Sequence, residues 1–244
     1  MGKLKPNQFE YWPGTVITER PILFQTDMVR AILEGRKTQT RREIKGQPTG
    51  DESINLKDLY NHNPEYFYEI CKYGKPGDLI WVRETWAGWE DLTIHKAQTF
   101  DTSMWFTTEG RKIPYSDMKW KPSIHMPKVA SRIWLMVEEV RVERLNDIIQ
   151  KDAIAEGIFP HLCPINGVDV LGYKNYFHGM LPTSPRLSFF SLWESINGKE
   201  SLDKNSWVWV VQFRVLSTAG KPSEHVIKEY YTDIMSLYQE VASE

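Results

Sequence analysis

Lys37 and Thr40 lie three residues apart in the stretch Gly35-Arg36-Lys37-Thr38-Gln39-Thr40-Arg41-Arg42. A turn there can bring the threonine hydroxyl toward the lysine amine, and a hydroxyl beside a neutral amine is a nucleophile–base pair. The condition is demanding, because an unperturbed lysine has a pKa of about 10.4 and is protonated at neutral pH. Burial and the neighbouring Arg36, Arg41 and Arg42 would lower that value, whereas a carboxylate would raise it. Around the pair, from Arg30 to Lys45, six basic residues (Arg30, Arg36, Lys37, Arg41, Arg42 and Lys45) face only Glu34 and Glu43. Two explanations fit the patch. It solvates a loop and complements the dipole of the helix before it, or its arginine forks hold an anionic or carbonyl-rich ligand.

The elements that must position these residues are read from apolar period and punctuation. Residues 1–20, with Pro6, Pro13 and Gly14, read as an irregular leader. Pro21 to Gln25 fits a buried strand. A helix capped by Thr26 or Asp27 follows, with Val29, Ile32 and Leu33 on one face and Gly35 as its left-handed stop. Leu79 to Trp86 is a strand after the turn Pro76-Gly77-Asp78. Ile133 to Val142 is β-rich, and Asn146 or Asp147 opens a helix that Gly157 stops. Residues 186–196 form a short helix, and Trp207 to Val215 is the strongest strand signal of the chain. The order is α+β, without the regular alternation of a doubly wound sheet. After Pro222 a terminal helix carries an apolar stripe (Ile227, Tyr230, Tyr231, Ile234, Tyr238, Val241) that packs on its own domain or docks a second subunit.

Composition removes several classes. The chain has 244 residues, 41% of them hydrophobic and 25% charged, enough for one large domain or two small ones. Thirty Lys+Arg against 32 Asp+Glu give a net charge of -2, so bulk charge makes no case for wrapping nucleic acid. No apolar span of membrane length and no signal-peptide core is present, so a cytoplasmic protein without a membrane partner is expected. Two cysteines without CxxC spacing make no disulfide framework. His161, Cys163 and His178 match no usual zinc spacing, and no glycine-rich phosphate loop occurs, so neither metal nor cofactor is expected. Ten Trp, 11 Tyr and 10 Phe exceed what an ordinary core needs.

The Gly35–Arg42 stretch resembles the GRKTxTxR signature of the ASCH domains, a branch of the PUA-like β-barrel superfamily. Pro76-Gly77-Asp78-Leu79 with Val82-Arg83-Glu84-Thr85-Trp86 is similar to that family's second block. Asp152-Ala153-Ile154-Ala155-Glu156-Gly157 resembles its third, and the Trp207–Phe213 strand its last. Lys121-Pro122-Ser123-Ile124-His125-Met126-Pro127 and Leu192-Trp193-Glu194-Ser195-Ile196-Asn197-Gly198 look like the longer phage and prophage form. The resemblance implies a mixed PUA-like barrel over residues 21–216 with flanking helices. It also implies loop-rich insertions at 46–75, 88–120 and 159–185 and a C-terminal helical extension over 217–244.

One compact bacterial branch of the family comprises N4-acetylcytidine amidohydrolases. By resemblance its lysine base falls on Lys37, its threonine nucleophile on Thr40 and its glutamate proton donor on Glu156. The substrate-side residues fall on Arg36, Arg41, Arg42 and Glu84, with Trp86 and then Trp81 as aromatic platforms for a pyrimidine; core packing is the alternative use of both tryptophans. Glu156 has an ordinary alternative too, pairing with an arginine of the first block. The implied reaction frees the exocyclic amine of an N-acylated pyrimidine nucleoside. The alternative is an RNA or modified-base binding module, or a metal-independent ribonuclease, using the same basic groove.

Overall fold

The computed structural model describes residues 4–47, 61–89, 92–98, 104–106, 112–114, 118–165, 168–177 and 184–242. Parts of the three expected insertions, and His178, lie outside these residues. The chain divides into two compact units, residues 1–33, 77–136 and 215–244 forming the first and residues 34–76 and 137–214 the second. Among the described residues there are five α-helices, and the strand pairing is mainly antiparallel, so the class is α+β. Neither unit closes its strands into a ring among the described residues. No described helix is long and apolar enough to cross a membrane.

In the first unit β1 (Gln8–Trp12) pairs antiparallel with β2 (Thr15–Leu23), so the expected irregular leader is wrong. Pro13-Gly14 is the two-residue loop of a hairpin, and Gly14 takes the φ of +81° that such a loop requires. Strand β2 runs parallel to β4 (Leu79–Arg83), and β4 pairs antiparallel with the start of β9 (Trp134–Arg144). The helix expected after Gln25 is α1 (Thr26–Leu33), with Gly35 at φ +71° beyond its end. The strand expected through Trp86 stops at Arg83, and β5 (Trp86–Trp89) starts a separate hairpin with β6 (Leu92–His95). Two further short strands, β7 (Met104–Phe106) and β8 (Lys112–Pro114), pair as another.

The C-terminal helix, Glu224–Ala242, packs its stripe on this unit: Ile227 and Ile234 are buried with Ile17, Leu79, Trp134 and Met136. Gly77, at φ +87°, leaves no room for a side chain, since a Cβ there would stand 2.6 Å from the Tyr231 ring.

In the second unit β3 (Gln39–Glu43) pairs antiparallel with β12 (Trp207–Ser217), which lies beside β9. The region expected to be loop over 46–75 contains α2 (Pro64–Ile70), capped by the Asn63 side chain on the Tyr66 N–H. Asn146 and Asp147 do not open the next helix. They belong to a 3-10 turn, the Asn146 N–H is held by the Asn205 side chain, and α3 starts at Gln150 and ends at Ala155. Gly157 follows at φ +97°. Then come the hairpin of β10 (Pro160–Ile165) with β11 (Val168–Tyr173) and helix α4 (Pro185–Asn197), capped by Ser184. The C-terminal helix of the first unit is α5.

Candidate active site

The segment Arg36–Gln39 is a clamp on the C-terminal end of α3. The Thr38 N–H donates to the Ala155 carbonyl at 2.9 Å and Lys37 Nζ to the Glu156 carbonyl at 2.9 Å. Gln39 Nε2 donates to the Asp152 carbonyl at 3.2 Å and Arg36 Nη1 to the Gly157 carbonyl at 2.8 Å. The last carbonyls of a helix lack partners within it and form its negative end. A six-residue helix is marginal by itself, so donors from elsewhere in the unit largely decide whether it persists. The basic patch therefore complements a helix dipole, but that of α3 and not of the helix directly before it.

On this clamp stands an ion cluster. Lys37 Nζ lies 2.8 Å from Glu156 Oε2, with side-chain exposures of 1% and 4%. Arg41, whose side chain is 0% exposed, places Nη1 3.3 Å from Glu156 Oε1. Its Nη2 donates to Glu143 at 2.8 Å and to Asp152 at 2.9 Å. Burial pulls the Lys37 ammonium below the ordinary lysine value; the charge and hydrogen bond of Glu156 oppose this, while Arg42 and Arg41 add to it. Burial also pulls Arg42 down, against Tyr73 and Glu156. The lysine and the carboxylate thus face each other with little solvent to screen their charges.

Thr40 is placed differently. Side chains alternate along a strand, so Gln39, Arg41 and Glu43 share one face of β3, and Thr40 and Arg42 share the other with their partners Val211 and Trp209. Thr40 is buried. Arg36 is committed to Glu34 (2.7 Å) and the Gly157 carbonyl, with its guanidinium 3.9 Å from the centre of the Phe159 ring. Arg41 is wholly internal, so its fork meets carboxylates of this chain.

The other sequence candidates belong to the first unit. Glu84 is buried in a bidentate pair with Arg132, at 2.9 and 3.1 Å. Trp81 packs against the core cluster under α5, which fits the packing role. Trp86 forms a bridge with Lys121, whose amine lies 4.6 Å from the ring centre.

Sequence reasoning missed Glu143, Asp152 and Gln39. Asp152 and Glu156 are four residues apart at a helix end, a spacing that puts both on one face; that was the available signal. Glu143 gave none. A cavity of about 230 Å³ beside Lys45, Ile70, Lys72 and Trp209 is smaller than the roughly 300–1,000 Å³ usual for ligand pockets, so we do not assign it to substrate. No family model, curated protein or solved structure matches this chain.

Proposed function

We propose that the chain is an ASCH-type amidohydrolase that removes the acyl group from N4-acetylcytidine or a related N-acylated pyrimidine nucleoside. The observation that carries this reading is the sealed Lys37–Glu156 pair, joining residues 119 apart in the sequence. A buried lysine with weakened hold on its proton is the kind of base that can act near neutrality. In the reaction, the Thr40 oxygen attacks the acyl carbonyl as its proton passes to the Lys37 amine. The carbon–nitrogen bond then breaks as that proton passes on from Lys37 to Glu156 across their 2.8 Å contact and from Glu156 to the departing exocyclic amine. Water next hydrolyses the threonine ester, releasing the acid and restoring the hydroxyl. This sequence requires the Thr40 hydroxyl to come within hydrogen-bond reach of Lys37 Nζ when substrate is bound.

The PUA-like relationship, the cytoplasmic setting and the nucleoside partner belong to the same reading. They are supported by four sequence blocks in family order. The RNA-binding alternative is weakened because Lys37 and Arg41, central to the basic patch, are internal and tied to carboxylates. The test is release of cytidine from N4-acetylcytidine by the intact protein, compared with Lys37→Ala, Thr40→Ala and Glu156→Ala. Turnover lost in all three supports the assignment. An inactive intact protein that binds RNA in a salt-sensitive way would replace it with the binding module.

A further inference from the structure

We propose that Arg41 is a positioning residue for the Lys37–Glu156 pair: it keeps one carboxylate oxygen of Glu156 for itself and leaves the lysine only the other. The inference rests on that pair being the working centre, although its physical part can be measured without substrate.

The geometry is specific. Arg41 Nη2 is anchored twice, to Glu143 on β9 and to Asp152 on α3. Those anchors aim Nη1 at Glu156 Oε1, 3.3 Å away, while Lys37 Nζ takes Oε2 at 2.8 Å. Asp152 and Glu156 are one helical turn apart, so a planar fork bridges them, and the single ammonium of a lysine cannot reproduce both contacts. Without the fork, Glu156 is free to turn both oxygens toward Lys37 and hold its ammonium form more firmly. The charged groups that face Lys37 are Glu156, Arg42 and Arg41; Asp152 and Glu143 act on it through Arg41. Arg41 thus acts on the lysine through the carboxylate that the two share.

The experiment is a ¹⁵N NMR titration of the Lys37 side chain in the whole protein, its signal assigned by its loss in Lys37→Met. Amide fingerprints check that each variant is folded. In Arg41→Gln the midpoint rises by about one pH unit or more. In Arg41→Lys, which keeps the charge and loses the fork, it rises by less. Asp152→Asn releases part of Nη2 toward Glu156 and moves the midpoint down. If Arg41→Gln does not fold, Arg41→Lys and Asp152→Asn decide the matter. A folded Arg41→Gln with a midpoint at or below that of the unaltered protein overturns the inference. So does an upward shift in Asp152→Asn, or an unmoved Arg41→Lys where the glutamine variant is unfolded.

Assays of the same proteins on N4-acetylcytidine separate the two ideas. An inactive parent protein whose Lys37 midpoints move as stated removes the amidohydrolase reading and keeps the positioning role. An active parent with unmoved midpoints does the reverse.

Discussion

Two buried glutamates, Glu19 in the first unit and Glu156 in the second, each gather cations from distant parts of the chain. Glu19 on β2 is paired with Lys128 and Lys221 and takes a hydrogen bond from the Tyr11 hydroxyl. Its lysines are 36% and 46% exposed, against 1% for Lys37 and 0% for Arg41 around Glu156. Burial pushes the Glu19 carboxyl up, but the bonds from Lys128, Lys221 and Tyr11 outweigh it and hold it below the usual carboxylate range. Beside Glu156 the Lys37 ammonium is pulled below the ordinary lysine value by its own burial. The two sites differ in how far water reaches the cations. Lysines that keep their hydration hold a buried acid charged, whereas a lysine buried with the acid loses part of its own hold on the proton.

The contrast breaks first, if it breaks, under alanine. Glu156→Ala leaves Lys37 and Arg41 buried with part of their compensation gone, and the expected loss is about 3–5 kcal/mol in denaturant unfolding. Glu19→Ala leaves two lysines that can turn outward, for an expected loss of about 1–2 kcal/mol. Equal losses at the two positions would show that exposure of the cations is not what separates them.

Acid and base sharpen it next. The folded Glu19 value is depressed, so its contribution to stability is present above the ordinary value of 4.5 and is lost as pH falls through the folded value. Glu19→Gln should therefore flatten the acid limb of the stability curve. The folded Lys37 value is depressed as well, so between it and the ordinary 10.5 the unfolded chain binds more protons than the folded one. Stability then rises with pH across that window, by at most about 1.4 kcal/mol per pH unit. Unfolding curves from pH 6 to 10.5 should show the parent protein gaining on Lys37→Met, and a parallel pair of curves would refute the direction.

How much of this was legible follows the range of each interaction. Helix α1, strand β12 and the stripe of α5 carry their signals within a few residues, and each element forms where it is expected to within two residues. The β1–β2 hairpin is not legible because Pro13-Gly14 marks a tight turn and an irregular segment alike. Helix α2 was missed although Asn63-Pro64-Glu65 is a cap followed by a proline at the helix start. At the site, Lys37 and Glu156 were named together through the family resemblance. Their dependence on Arg41, Asp152 and Glu143 was not, because contacts across 102 to 115 residues leave no period in the sequence. The alternation that separates Thr40 from Arg41 could not be read either, since the stretch has no apolar rhythm to betray a strand.

Thr40 offers a smaller test within the second unit. It is a small buried side chain, so Thr40→Ala should cost no more than about 1 kcal/mol of stability while abolishing acyl release. A large stability loss with partial activity would mark it as packing and not nucleophile.

The smallest effects belong to Lys128 and Lys221, and they probe redundancy. Both amines reach Glu19, and both lie over the Phe9 and Trp134 rings, within 4.5 to 5.6 Å of their centres. When either is replaced by methionine the other still faces the carboxylate, so each single change should cost only about 0.5 kcal/mol. The double change removes both cations and leaves Glu19 with the Tyr11 hydroxyl, so its cost should exceed the sum of the singles. A double-mutant cycle read by urea unfolding measures that excess directly. At Glu156 the second cation among the described residues, Arg41, is anchored by Glu143 and Asp152 and meets the other oxygen, so it does not stand in for Lys37. Additive lysines in the first unit would mean that they act separately on Glu19, and the contrast between a replaceable and an irreplaceable cation would then rest on burial alone.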